Sequence, residues 1–179
     1  MFGRDEKRGR VRSAVTLTVS LTAVSLRAAA ARAQGRLEPL ANGDSAIESV
    51  LRDELRAAGA KLADVRCRLI FSDFRDIKGR QIQSTLDTLG QTGQTYFRGL
   101  VFYDGYGRTA CDSRETIAFT SPGSRAVFLC TPQFLAMAHR DQGLVADLLI
   151  HEELHSLGLG ENPPSSKAIT AGVVARCGK

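Results

Sequence analysis

The sequence lacks any uninterrupted stretch of about 20 apolar residues, the length that a membrane-spanning helix requires. It also lacks a C-x-x-C pair, an EF-hand spacing of acidic residues and internal repeats. These absences exclude a finger-type structural zinc site, an EF-hand calcium site and a repeat architecture. With 179 residues, 43% of them apolar, the chain is long enough for one domain with a core and too short for two ordinary ones.

The first 33 residues have the organisation of a secretory signal peptide. A basic start, Arg4–Arg12, precedes a run of apolar and small residues at Ser13–Leu26, and Ala31–Ala33 supplies a small-x-small cleavage site. We therefore predict that this segment is removed and that residues 34–179 form the mature domain. That domain is expected to be secreted or periplasmic and to have no stable membrane anchor.

Removal of the signal peptide cancels the positive charge of the chain. The sequence has 24 Lys and Arg against 19 Asp and Glu, but residues 1–33 hold seven of the basic and two of the acidic residues. The mature domain therefore carries 17 of each sign. Because the basic excess belongs to the targeting segment, it does not indicate nucleic-acid binding.

The predicted mature domain contains all four cysteines of the chain, which are Cys67, Cys111, Cys130 and Cys177. An exported chain meets an oxidising compartment, where an even number of cysteines usually pairs, so we expect two disulfides. A hairpin with strands at Thr116–Thr120 and Ala126–Cys130 would bring Cys130 close to Cys111. By elimination, Cys67 would pair with Cys177.

Hydrophobic periodicity predicts a mixed α+β domain. Helical spacing and capping residues indicate helices at Ser45–Ala58, around Ile82–Leu89, from Thr131 or Pro132 to Met137, from Asp141 to Leu157, and after Ser165. Apolar runs indicate strands at Val65–Phe71, at Leu100–Tyr103 and in the hairpin, with a polar loop at Gly90–Thr95. We expect about four strands, mostly antiparallel.

Two histidines four residues apart lie on the helix that begins near Asp141. His151 and His155 project from one face about one turn apart, so both rings can contact one metal ion. Glu152 lies roughly 100° around the helix from His151 and can reach a metal-bound water without filling a coordination position. Glu153 points in another direction, behind the ligands or at the surface. The helix is apolar nearly all round, which argues against a chance match on a solvated helix.

The third ligand has to come from outside the helix, because a catalytic zinc ion usually has three protein ligands and one open position. Gly158 can end the helix in a left-handed conformation, and Glu161 can then supply a carboxylate. The sequence thus predicts a Zn²⁺ site with His151, His155 and Glu161 as ligands and Glu152 as the catalytic base. Weaker candidates for an additional electrophile are Tyr96, Tyr103, Tyr106 and His139.

The segment His151–Glu161 resembles the extended zincin motif of the metzincin clan, HExxHxxGxx followed by a third ligand. It is also similar to uncharacterised exported bacterial proteins in which the motif precedes a Gly-Glu-Asn-Pro-Pro-Ser-Ser segment, here Gly160–Ser166. The resemblance implies a zincin-like domain with a small, mostly antiparallel sheet, an active-site helix and a C-terminal helix after the metal site. It further implies a protein or peptide substrate that lies along an edge strand above the active-site helix.

On this interpretation the chain is an exported zinc-dependent endopeptidase, expected to act as a monomer. Zinc would activate a water molecule, and Glu152 would take its proton during attack on a peptide carbonyl and then protonate the leaving amine. Two alternatives stay open: a non-catalytic binding or scaffold module braced by zinc, and a zinc amidase acting on cell-wall peptides. An unliganded carboxylate beside the open coordination position favours an enzyme, because a structural site does not need one.

The position of the cleavage site can be tested directly. Exported material should begin near Gln34, because the small-x-small site ends at Ala33. N-terminal sequencing of protein recovered from the periplasm or the medium measures this, and material that begins at Met1 would contradict the prediction.

Overall fold

The computed structural model describes Leu40 and residues 45–178. The predicted signal peptide and its cleavage site lie outside these residues. The described residues form one compact unit, in which two disulfides join Cys67 to Cys177 and Cys111 to Cys130. Both predicted pairings are confirmed, and such bonds are typical of proteins that fold outside the reducing cytoplasm. Within the described ranges, no helix is both long enough and apolar enough to cross a bilayer.

The described chain begins with a series of helices, continues through a small sheet and ends in further helices. The first helices are α1 (Ala46–Ala63), α2 (Val65–Arg68), α3 (Ile70–Asp73), α4 (Ile82–Leu89) and α5 (Gly93–Phe97). The strands are β1 (Val101–Asp104), β2 (Ala118–Thr120) and β3 (Ala126–Leu129), with a 3-10 helix at Thr109–Asp112 between the first two. The last helices are α6 (Thr131–Arg140), α7 (Gln142–Ser156) and α8 (Ser166–Cys177).

The sheet has the strand order β1-β3-β2. β2 and β3 form the predicted antiparallel hairpin, whereas β1 pairs with β3 in parallel. The expected antiparallel arrangement therefore holds for one of the two pairings. The parallel pairing arises because the chain leaves β1, crosses to the far edge to form β2 and returns through the middle as β3. This route leaves β2 as an edge strand.

The segment Val65–Phe71, predicted as a strand, is helical and forms α2 and α3. Its buried residues have the spacing of one helical face, and they are Cys67, Ile70 and Phe71. Val65 and Leu69, which the alternating pattern assigned to the core, are 66% and 44% exposed. The disulfide to Cys177 and the packing of α2 against α8 decide which face is buried. Among the described residues the sheet therefore has three strands rather than four.

The helices also differ from the prediction at the end of α1, at α5, which was not predicted, and at the end of α6, which runs to Arg140 rather than Met137. α1 continues past Gly59 because the buried stripe extends to Leu62, and that burial offsets the roughly 1 kcal/mol cost of a glycine in a helix. The expected polar loop at Gly90–Thr95 ends early, since the Thr92 hydroxyl caps α5. The side-chain amide of Gln94 on α5 donates to the backbone carbonyl of Gly59 on α1 at 2.8 Å, and this hydrogen bond joins the two helices.

Helix α7 lies at the centre of the fold, where it packs against α1, α6, α8 and β2. Eleven of its 15 residues are buried, which confirms the prediction of a helix enclosed on nearly every side. Its N-terminus is capped by Asp141, as predicted, and Lys61 on α1 bonds Asp147 at 2.6 Å. Because α7 contacts both the sheet and α8, its histidines have fixed positions relative to both.

Glu54 on α1 is a buried carboxylate outside the histidine segment. It is 2% exposed, and its Oε2 atom has no hydrogen-bond partner. Burial, assisted by the charge of Asp53, raises the pKa of Glu54 to about 7, although Lys61 acts in the opposite direction. The folded state therefore disfavours ionised Glu54. Its destabilising effect is absent below about pH 4.5 and grows as the pH rises through about 7.

Glu54→Gln should therefore be more stable than the wild type at pH 8, by on the order of 1–3 kcal/mol, and equally stable at pH 4. Urea unfolding at both pH values measures the difference. Glu115→Gln, which changes an exposed carboxylate, is the control and should show no such dependence on pH. Equal stability of the wild type and Glu54→Gln at pH 8 would contradict the prediction.

Candidate metal centre

Helix α7 and the turn after it bring the three predicted ligands together. The Nε2 atoms of His151 and His155 lie 2.9 Å apart. A carboxylate oxygen of Glu161 lies 3.8 Å from Nε2 of His151 and 3.3 Å from Nε2 of His155. Among the described residues, these side chains form the group whose potential ligand atoms all lie within 4.8 Å of one another.

The spacing of these atoms is compatible with a tetrahedral ion such as Zn²⁺. Ligand atoms about 2.0–2.1 Å from a tetrahedral zinc ion lie roughly 3.3 Å from one another. The three observed separations, 2.9, 3.3 and 3.8 Å, bracket that value. Two imidazole nitrogens and one carboxylate oxygen also make a donor set that zinc uses in catalytic sites. Such a set leaves a fourth position for water or substrate.

The turn that brings Glu161 to the histidines is a Schellman motif at the end of α7. The amide of Gly158 donates to the carbonyl of His155 at 2.8 Å, and the amide of Leu159 donates to that of Leu154 at 3.0 Å. Gly158 has a φ of +111°, which L-residues with a side chain rarely adopt. The prediction that Gly158 ends the helix and turns the chain back is confirmed.

Two other segments hold this turn in place. The amide of Ile77 donates to the carbonyl of Gly158 at 3.0 Å, and the amide of Gly123 in the β2–β3 turn donates to the carbonyl of His155 at 3.1 Å. A Cβ atom on Gly160 would lie 2.8 Å from the side chain of Ile77, which would have to move to make room for it. The path of the chain to Glu161 is therefore fixed by contacts on both sides.

Each histidine is also held through its Nδ1 atom. Nδ1 of His155 lies 2.8 Å from the carbonyl oxygen of Leu159. Because a carbonyl can only accept, this Nδ1 carries a hydrogen, and in the neutral ring the lone pair is then on Nε2. Nδ1 of His151 lies 2.9 Å from Oγ1 of Thr170 on α8. Burial, with a smaller effect of His155, lowers the pKa of His151 to about 3, so its ring is in the neutral form that binds metals.

Two acidic side chains follow His151 on α7. Glu152 lines a cleft, and its Oε2 atom is buried without a hydrogen-bond partner. Burial, and then the charge of Glu161, raise the pKa of Glu152 to about 8. Glu153 is 0% exposed, neither of its oxygens is bonded, and burial raises its pKa well above the usual range. Of the two positions expected for Glu153, the surface position was therefore wrong.

The cleft has a volume of about 1080 Å³ and is open to solvent. It is lined by β2 on the sheet side and by α7 and α8 on the helical side. The four predicted site residues all line it, and they are His151, Glu152, His155 and Glu161. The structure thus brings the predicted ligands and the predicted base together at one surface.

The weaker electrophile candidates do not line the cleft. Tyr96 is buried, and its hydroxyl lies 3.0 Å from the carbonyl oxygen and 2.9 Å from the hydroxyl of Ser156. Tyr106 is 82% exposed, Tyr103 stacks on Phe128, and His139 is exposed near the end of α6. Thr170 was not predicted because no local pattern distinguishes it from any other residue of a helix. Only the packing of α8 on α7 reveals its contact.

No protein-family model, curated protein or solved structure matches the chain. The functional interpretation therefore depends on the geometry and chemistry of these side chains.

Replacing Gly158 with alanine should destabilise the protein. The φ of +111° is strained for a residue with a Cβ atom, which would also lie 3.3 Å from the side chain of Asp76. We expect a loss of about 1–3 kcal/mol in denaturant unfolding. Gly59→Ala is the control, because Gly59 lies inside α1 with open space around the added atom, and it should gain roughly 0.5–1 kcal/mol. Effects of the same sign would contradict this account of the turn.

Proposed function

We propose that the chain is an exported zinc-dependent endopeptidase that resembles the metzincins at its active-site helix and glycine turn. One observation carries the proposal. The residues that line a single cleft supply three potential ligand atoms at a spacing compatible with zinc, and Glu152, which also lines it, has a buried carboxylate oxygen without a hydrogen-bond partner. A buried polar atom without a partner costs stability, and a hydrolytic role for Glu152 explains why it is kept.

His151, His155 and Glu161 are the ligands in this proposal. A zinc ion bound there would supply the Lewis acidity that makes water a nucleophile near neutral pH. The contacts of the two Nδ1 atoms with Leu159 and Thr170 keep both Nε2 atoms directed at one point. Glu161 is 40% exposed, so it is the ligand whose position depends most on the turn that precedes it.

Glu152 is the general base and then the general acid. It takes a proton from the attacking water and passes it to the leaving amine. A base has to be ionised, whereas burial and Glu161 raise the pKa of Glu152 to about 8. A divalent cation held by His151, His155 and Glu161 would favour the ionised form of Glu152 and would offset the charge of Glu161. Ionisation of the base is therefore coupled to metal binding.

The peptide substrate binds in an extended conformation along β2. β2 is an edge strand, and its three residues, Ala118–Thr120, line the cleft. Among the described residues no strand pairs with its outer edge, so its backbone groups are available to an added strand. A peptide paired there runs past Glu152 and the ligands, because they line the same cleft.

The same observations argue against a non-catalytic zinc module. A structural zinc site usually has a closed set of four ligands, whereas these side chains line an open cleft. A zinc ion that only braced α7 and α8 would not require the unpartnered carboxylate of Glu152. A cell-wall amidase would use the same residues, and the choice of substrate separates it from an endopeptidase.

Two substitutions test the roles of the carboxylates. Glu152→Gln should keep its zinc, while hydrolysis of casein or a peptide falls by at least roughly 10²–10⁴-fold, because the base is lost and the ligands are not. Glu161→Ala should lose zinc affinity, and excess zinc should partly restore its activity. Zinc content by mass spectrometry after dialysis and initial rates of hydrolysis measure both effects.

Asp87→Asn is the control, since Asp87 is exposed on α4 and does not line the cleft, and it should keep both zinc and activity. Full activity of Glu152→Gln would contradict the proposed mechanism. Full zinc content in Glu161→Ala would show that the third ligand lies elsewhere. Wild-type protein that hydrolyses cell-wall peptides but not casein would identify the amidase instead.

A further inference from the structure

Thr170 contacts one predicted ligand from outside the HExxH segment. Its Oγ1 atom lies 2.9 Å from Nδ1 of His151, and Thr170 also lines the cleft. We propose that Thr170 is a positioning residue for the metal centre. Its hydroxyl accepts a hydrogen bond from the Nδ1–H group of His151 and thereby fixes the tautomer and orientation of that ring. This inference rests on the zinc site of the proposed function.

The two histidines differ in whether the chain near the end of α7 provides a hydrogen-bond acceptor for Nδ1. His155 lies in the last turn of α7, where the chain turns back and presents the carbonyl of Leu159 to Nδ1. His151 lies one turn earlier, inside the helix, where the backbone carbonyls accept helical hydrogen bonds. A partner for its Nδ1 atom therefore has to come from another element. Thr170 on α8 is that partner.

The ring of His151 needs a partner of this kind. His151 is 3% exposed, so solvent does not replace a missing hydrogen bond at Nδ1. When Nδ1 carries the hydrogen, Nε2 keeps the lone pair that a metal ion requires. Histidine ligands almost always donate their second N–H group in this way, and loss of the acceptor typically weakens metal binding about 10–100-fold.

Helix α8 holds Thr170 in place. The residue before it, Ile169, is 0% exposed and belongs to the hydrophobic core. Ser165 caps the start of α8, and the Cys67–Cys177 disulfide ties its end to α2. Because threonine is branched at Cβ, few rotamers are open to its side chain in a helix. The hydroxyl is therefore positioned before any ligand binds.

The experiment compares the zinc affinity of the full mature protein and its variants, by competition with a chromophoric chelator. Thr170→Val removes the hydroxyl and keeps the shape, and it should weaken zinc binding about 10–100-fold. Thr170→Ser keeps the hydroxyl and should remain within about threefold of the wild type by the same reasoning. Thr88→Val makes the same change on the exposed face of α4 and should have no effect.

Nitrogen-15 NMR of the histidine rings supplies a readout that does not depend on peptidase activity. In the zinc-loaded wild type, His151 should carry its hydrogen on Nδ1, and in Thr170→Val this hydrogen should exchange faster with solvent. Thermal melting of the metal-free proteins checks that each variant folds. If Thr170→Val does not fold, Thr170→Ala supplies a second variant without the hydroxyl.

Each outcome of these measurements supports or overturns the proposed role of Thr170. Wild-type zinc affinity in a folded variant without the hydroxyl would overturn the role of Thr170. Equal weakening in Thr170→Ser and Thr170→Val would also overturn it, because the effect would then come from packing. Wild-type protein that binds no zinc would overturn both the metal centre and this inference. Wild-type protein that binds zinc but cleaves no peptide would overturn the endopeptidase alone, and the ratio of affinities would still decide the role of Thr170.

Discussion

The backbone of the turn that ends α7 holds three parts of the fold together through hydrogen bonds. The carbonyl of His155 accepts from the amides of both Gly158 and Gly123, and the carbonyl of Gly158 accepts from Ile77. The carbonyl of Leu159 faces the ring of His155. One turn thus connects the histidine helix, the β2–β3 hairpin and the loop after α3. The same hydrogen bonds position the predicted ligands and hold the β2–β3 turn against the end of α7.

Burial of α7 on nearly every side gives each of its polar side chains a different environment. Asp147 is paired with Lys61. Glu153 lies in the core, where burial raises its pKa well above the usual range. The histidine rings have Nδ1 partners, whereas Glu152 has an unpartnered oxygen and lines the cleft. A buried carboxylate that is accessible from a cleft differs chemically from one enclosed by apolar side chains, even when the two are adjacent in sequence.

The parts of the structure that were predicted correctly are those determined by the spacing of residues close together in the sequence. The apolar residues of α7, the two histidines one turn apart and Gly158 specify a helix, a shared ligand face and a turn, without reference to the rest of the chain. Val65–Phe71 is too short for its apolar residues to distinguish a strand from a helix. Which side is buried depends on the disulfide between Cys67 and Cys177, a residue 110 positions further along the chain. Thr170 was not predicted because the histidine that it contacts, His151, lies on another helix.

Strand β2 has only three residues. An exposed strand edge can pair with any extended chain, including a partly unfolded copy of the same protein, and natural proteins often shorten such edges to prevent aggregation. A short edge also offers a peptide few main-chain hydrogen bonds, which are the contacts that do not discriminate between sequences. More of the binding energy must then come from side-chain contacts across the cleft, with residues such as Ala171 and Val174 on α8. In the proposed peptidase, the length of β2 thus favours selective cleavage over indiscriminate degradation of unfolded chains.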